Sequence, residues 1–290
     1  MPVTGSCYVV QIETPKKILL NGLWLGSKRS KRIIIWVHGL AGSMFGKLSI
    51  AEALVGPATA VLVFNNRGHD NISQLAGRRR RQPKLAGGGA EIFTQCVDDI
   101  EGAIDFAKTV GVSEVYLTGY STGAQKSIYW ASKTTVTGAV RGIILLGPMS
   151  DYSTLGKFYS KSRVAAAKKL AKSLVKKSKP NYILPQSTWS PPITAQRFLS
   201  LYSGLSTEEI FTYWSPERIP RTLAAVEIPV LVLLAEKDEF ADRSANKISA
   251  WFDKNISSPH RVVIIPKVRH DFVGGEKAVA CQIRKFMRTC

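Results

Sequence analysis

The sequence predicts an α/β protein: a mostly parallel sheet of about eight strands, flanked by helices, with a helical cap inserted late in the chain. Three observations carry this. Short runs of Ile, Val and Leu recur along the 290 residues, of the kind that suits strands buried on both faces of a parallel sheet. Segments with apolar residues at helical spacing lie between them. Strand and helix in alternation imply a parallel sheet covered on both faces. The alternation breaks once, between Asp151 and about Trp214, where no buried-strand run occurs.

The elements follow in order. CYVVQIETPKKILLNGLWLG (7–26) reads as a hairpin, two runs of β-formers broken at Thr-Pro. KRIIIWVHG (31–39) is a short buried strand ending in His-Gly. A helix-compatible LSIAEALVG (48–56) precedes the strand AVLVFNNRG (60–68). Gly87-Gly88-Gly89 reads as a flexible loop before a helix in 91–111, where Ile92, Phe93, Cys96, Val97, Ile100, Ile104 and Ala107 make the apolar face and Gly111 the stop. Asp98, Asp99, Glu101 and Asp105 of that helix read as an outward, solvated acidic face. EVYLTGYS (114–121), GIILLGPMS (142–150), PVLVLLAEKDEF (229–240) and RVVIIPKVRH (261–270) complete the strands, with a helix over AQKSIYWAS (124–132). The domain reading is a core of residues 1–150 and 215–290, with 151–214 as a cap or lid. In the cap, Val164, Ala167, Ala171 and Leu174 form an apolar stripe on a lysine-rich helix.

Composition sets outer bounds. At 45% hydrophobic residues, the chain can bury a substantial core and is not of the disordered class. No stretch reaches the ~20 apolar residues of a membrane span, and the start has no basic region followed by an apolar run. A soluble cytoplasmic protein is the default expectation. Cys7, Cys96, Cys281 and Cys290 lack metal-ligand spacing and read as free thiols, with a disulfide between the last two left open. The net charge of +19 favours anionic partners. Much of it lies in Arg78–Arg81, read as a solvated loop rather than an anion dock, and in 157–179, which holds nine Lys or Arg and no acid. A weak contact of that basic cap helix with anionic surfaces stays open; no nucleic-acid motif is present.

The chemistry centres on GYSTG (119–123). Three fixed residues in five are weak evidence alone. A strand before and a helix after place Ser121 on a tight strand-to-helix corner. Side chains at positions 119 and 123 would collide there, which explains glycine. The following helix aims its N-terminal amides at the site, so the Thr122 N–H is a candidate oxyanion donor. A serine hydroxyl needs a base. His270 ends a late strand and fits; His38 reads as a loop-ordering residue, and His69 and His260 have no strand-end placement. Asp238 closes the strand before and fits the third position, which fixes the base, with Glu236, Glu239 and Asp242 as rivals in the same loop. The second oxyanion donor is the Leu40 N–H in WVHGLAGS. Trp189, Trp214 and Tyr213 are candidates for an acyl pocket or for core.

On these residues the chain resembles an α/β-hydrolase along nearly its whole length: His38-Gly39, the Gly119–Gly123 elbow, Asp238 after a strand and His270 before Phe272 follow that family's order. NNRGHD (65–70) and GYSTGAQKSIYW resemble a branch that includes siderophore-ester hydrolases, without carrying a substrate over. The resemblance implies a serine esterase acting on a small-molecule ester, an anionic one included, with Ser121 as nucleophile, His270 as base, Asp238 as its partner, Leu40 and Thr122 amides as oxyanion hole, and no metal or organic cofactor. Amide or peptide hydrolysis, acyl transfer, and a non-enzymatic basic binding protein of hydrolase shape stay open, since fold alone does not separate them.

Overall fold

The computed structural model describes residues 5–76, 83–134 and 138–290; the Arg78–Arg81 run lies outside them. The first half contains β1 (Cys7–Glu13), β2 (Leu19–Leu25), β3 (Arg32–Val37), α1 (Leu48–Leu54), β4 (Thr59–Phe64), β5 (Ser73–Leu75), β6 (Lys84–Ala86), α2 (Cys96–Thr109), β7 (Glu114–Tyr120), α3 (Thr122–Ala131) and β8 (Val140–Leu146). Then come α4 (Asp151–Phe158), α5 (Lys161–Lys176), α6 (Ala195–Tyr202) and α7 (Arg221–Ala224). β9 (Val230–Ala235), α8 (Ala245–Asn255), β10 (His260–Ile265) and α9 (Glu276–Phe286) complete the described elements.

Eight strands form one sheet in the order β1-β2-β4-β3-β7-β8-β9-β10. The β1–β2 and β2–β4 pairs are antiparallel, and the other neighbours are parallel. Strand β3 shows how the sequence sets the layers. Successive side chains alternate faces, so Ile33, Ile35 and Val37 join the core beneath α2, α3 and α8. Ile34 and Trp36 join the opposite core, packed by α1 and α9. A strand covered twice has no room for polar residues, hence its unbroken apolar run.

Three features fell outside the sequence reading. The β5–β6 pair is a separate short ribbon. Helices α8 and α9 bury Ile248 and Phe252, and Val279, Ala280, Ile283 and Phe286, at the i, i+4 and i, i+1, i+4, i+7 spacing of one helix face. The Gly87–Gly89 segment is not a flexible loop. It is buried, and its amides donate to Arg67 O, Asp70 O and Asn71 O at 2.7–2.9 Å, because it is packed between the chain after β4 and the inserted segment.

Between β8 and β9 the chain builds its own apolar cluster: Leu155, Ala167, Ala171, Trp189, Phe198 and Leu201, with Leu40 against it. Side-chain caps start its helices: Ser150, Ser160 and Thr194 accept from Ser153 N, Arg163 N and Arg197 N, satisfying amides that a helix start leaves unpaired. All four cysteines are free. Among the described residues, no helix is long and apolar enough to cross a membrane.

Candidate active site

Parallel strands end at the same sheet edge, where ligands of open α/β sheets bind. There β3 hands over to His38, β4 to Asn65, β7 to Ser121, β8 to Gly147–Asp151, β9 to Asp238 and β10 to His270. Ser121 stands at φ 54°, ψ −124°, a conformation that costs about 1–3 kcal/mol and persists only where the surroundings enforce it. They do so by contact. A Cβ on Gly119 would lie 2.2 Å from Gly123 O, and one on Gly123 would lie 2.1 Å from Val37 O. Glycine at both positions is therefore a steric requirement of the corner.

His270 is held on several sides. Its Nδ1 lies 2.8 Å from Asp238 Oδ2, and its backbone N–H donates to Glu239 Oε2 at 2.9 Å. The Tyr120 hydroxyl donates to His270 O at 3.3 Å. The rings of Phe240 and Tyr120 flank the imidazole at 4.9 and 5.3 Å. Asp238 is fixed in turn by accepting the Phe240 N–H at 2.9 Å. Nδ1 is thus occupied and Nε2 is left as the proton-accepting nitrogen. Glu239 steadies the backbone of this turn, Glu236 accepts the Lys267 N–H at 2.6 Å, and Asp242 pairs with Arg243. Of the four acids in the loop, Asp238 meets the imidazole.

Ser121 and His270 line one cavity of about 580 Å³, together with Leu40, Met149, Leu155 and Phe158. No hydrogen bond joins the Ser121 hydroxyl to the imidazole in this conformation; such bonds commonly tighten only with substrate bound. The backbone amides of Leu40 and Thr122 make no hydrogen bond among the described residues. The loop carrying Leu40 passes so close that a Cβ on Gly39 would lie 2.9 Å from Ser121 Cβ. Trp189 and Tyr213 are core residues, and Trp214 packs against Tyr152; the aromatic wall of the cavity is Tyr120, Phe158, Tyr159, Tyr202 and Phe240.

His38 does order the loop: its Nδ1 meets Gly39 O at 2.9 Å. Burial, reinforced by the Lys126 charge, lowers its pKa to about 3, so the ring is neutral. Sequence reasoning missed what stands behind this loop. Asn65 Oδ1 accepts the Met44 N–H at 2.7 Å and Asn66 Nδ2 donates to His38 O at 3.4 Å. The fully buried Lys126, on the helix that begins at the elbow, donates to Asn66 Oδ1 at 3.1 Å and Glu91 Oε2 at 2.7 Å. Arg197, on α6, donates to Glu91 Oε1 at 2.7 Å and Gly88 O at 2.9 Å, and pairs with Glu208. Although burial pushes the Glu91 carboxyl up, Lys126 and Arg197 outweigh it and hold it below the usual carboxylate range.

The α2 acids need correction. Asp98 and Asp99 are not a solvated face: they are 6% and 1% exposed and clamp Arg67 of the NNRGHD segment at 2.5 and 2.6 Å. Glu101 accepts the Trp130 indole N–H at 2.7 Å. The helix lies with this side against the chain after β4, so these three carboxylates meet internal partners, whereas Asp105 is exposed, as expected of a solvated acid.

The family described as a protein of unknown function, DUF1749, matches residues 85–284, well over half of the sequence. The chain belongs to the DUF1749 family. A UPF0613 protein of Schizosaccharomyces pombe is 21% identical over 249 residues, covering 78% of this chain and 74% of that protein. Among solved structures, DcsB in complex with its substrate analogue aligns with a TM-score of 0.70 at 15% identity, over 98% of this chain and 99% of that one. Est1E from Butyrivibrio proteoclasticus, with ferulic acid bound, gives 0.64 at 17% over 97% and 98%. The esterase Pf2001 of Pyrococcus furiosus gives 0.62 at 15% over 99% and 92%. Likeness at these identities establishes the fold, which is that of the α/β-hydrolases with an eight-stranded, mostly parallel sheet.

Proposed function

We propose that this chain is a serine hydrolase that cleaves carboxylic esters through an acyl-enzyme on Ser121. The observation that carries the reading is the 2.8 Å contact of His270 Nδ1 with Asp238, which leaves Nε2 available on a residue that lines the same cavity as Ser121. His270 takes the Ser121 proton as the oxygen attacks the ester carbonyl. The Leu40 and Thr122 amides hold the oxyanion; one such donor is worth ~10²–10³ in rate. The alcohol leaves with the proton from His270. Water, deprotonated by the same imidazole, then releases the acid and restores Ser121. Asp238 keeps the proton on Nδ1 and stabilises the imidazolium. The segment 151–214 serves as a cap whose residues close the apolar side of the cavity. That esterases share the fold supports the reading without naming a substrate.

The test is p-nitrophenyl ester turnover with fluorophosphonate labelling. Ser121→Ala is expected to fold, to lose turnover on the order of 10⁴–10⁶-fold, and to lose the label. Turnover persisting in Ser121→Ala, or label mapped to another residue, would overturn the assignment. Matched amides turning over faster than esters would move the chemistry to amide cleavage on the same residues.

A further inference from the structure

One carboxyl in the same cavity has no part in this chemistry. Asp151 opens α4 and lines the cavity with Ser121 and His270. It is only 9% exposed. One of its oxygens accepts the Gln125 amide at 3.2 Å; among the described residues the other has no partner, and no cation pairs with the group. Tyr202, on α6, lines the cavity too, and its hydroxyl makes no hydrogen bond among the described residues. The neighbouring walls are largely apolar: Met149, Leu155 and Phe158. Both groups are reached by solvent, and a substrate that excludes water from them must supply their hydrogen bonds.

We infer that Asp151 and Tyr202 form a specificity subsite that hydrogen-bonds a hydroxyl group of the substrate. The inference deepens the esterase reading and rests on it for the identity of the reacting bond. Burial, with the charges of Glu208 and Glu209 against that of Arg197, holds the Asp151 carboxyl up at about 8. At neutral pH it is mainly protonated, so it donates through O–H and accepts through C=O, the complement of an alcohol or phenol. A neutral carboxyl does not attract an ammonium group as a carboxylate does, and it gives a carboxylate ligand one donor but no charge. A polar pocket of this kind discriminates by leaving its own groups unpaired when the wrong substrate binds.

The test compares matched esters. One arm varies the acyl side: ethyl esters of straight-chain acids with a terminal methyl, hydroxyl, amino or carboxyl group. The other varies the alcohol side: butyrates of simple alcohols against monobutyrates of the corresponding diols. In one of the two arms the hydroxylated ester is expected to have a kcat/KM roughly tenfold above its methyl partner, about one net hydrogen bond. Asp151→Leu, which keeps the branched shape without the polar atoms, should erase that ratio; Asp151→Asn, which keeps a donor and an acceptor, should restore most of it. Tyr202→Phe should reduce it in part. Equal loss on both members of a pair would mark Asp151 as merely structural and overturn the inference. So would an amino or carboxyl terminus preferred over the hydroxyl, or no preference in the wild type.

Binding separates this inference from the catalytic reading. In Ser121→Ala, calorimetry should show the hydroxylated ester bound roughly tenfold more tightly than its partner, and Asp151→Leu on that background should remove the difference. Absence of turnover by the wild type on any ester, with that binding preference intact, would sink the esterase reading and leave the subsite standing. Turnover with no preference in either assay would sink the subsite alone.

Discussion

Charge is handled in opposite ways in two parts of the inserted segment. On α6, Arg197 is fully buried and meets Glu91, Glu208 and Gly88 O, a set that continues through Lys126 to Asn66 and the His38 loop. On and just after α5, Lys161, Lys169, Lys172, Lys176, Lys177 and Lys179 are exposed, and none is in an ion pair among the described residues. The difference follows from solvent. Ions removed from water must be paired in full or cost several kcal/mol each, whereas exposed ions keep their hydration and need no partner. The first set therefore binds the insertion to the sheet and backs the loop that carries Leu40. The second leaves the fold indifferent to its identity and accounts for part of the large net charge.

Breaking the buried set gives the largest effect. Arg197→Ala leaves Glu208 buried without its cation and Glu91 with Lys126 alone, and is expected to cost about 3–5 kcal/mol, read from denaturant midpoints. If the midpoint moves no more than it does for the α5 lysines, the contrast between the regions is lost. Lys126→Met should cost a comparable amount and, because Asn66 loses its partner behind His38, should also lower ester turnover at a given stability.

Two other buried groups sharpen the contrast, since they titrate with opposite sign. His38 is neutral in the fold, its pKa lowered from 6.5 to about 3. The unfolded chain binds the extra proton between those values, so stability is present above about 6.5 and is lost as pH falls toward 3. His38→Asn should flatten that acid limb by up to about 1.4 kcal/mol per pH unit. Asp151 runs the other way, raised from 3.8 to about 8. There the unfolded chain ionises first, so stability is lost as pH rises from 3.8 toward 8. Asp151→Asn should be more heat-stable than the wild type, with a margin that grows across that window and vanishes below it. A margin independent of pH would contradict the assigned cause. Such a cost is expected of a group kept for binding rather than stability.

The smallest effect belongs to α5. Replacing Lys169, Lys172, Lys176 and Lys177 together by Gln should change stability by no more than about 0.5 kcal/mol. A loss beyond that would show that these lysines do hold the fold.

The elements that were legible in the sequence are those governed by neighbours along the chain. Buried strands announce themselves by apolar runs, and the elbow by two glycines whose side chains would strike Gly123 O and Val37 O. Asp238 and His270 were singled out because each stands just past a strand end, and the structure brings them to 2.8 Å. Asp98, Asp99 and Glu101 were misread because spacing shows which residues share a helix side, not what packs against that side. Gly87–Gly89 was misread for the same reason: a glycine run does not say whether the space around it is water or protein.

The order of elements, the sharp turn at residue 121 and the candidates for nucleophile, base and acid were thus determined by the sequence alone, through short-range sterics and hydrophobic periodicity. Only the tertiary structure decided which charges meet. Arg197 and Glu91 are 106 residues apart, and Lys126 and Asn66 are 60 apart. Partners at such distances are chosen by how sheet, helices and insertion pack, because burial first removes water and then penalises every charge and polar group left without a complement.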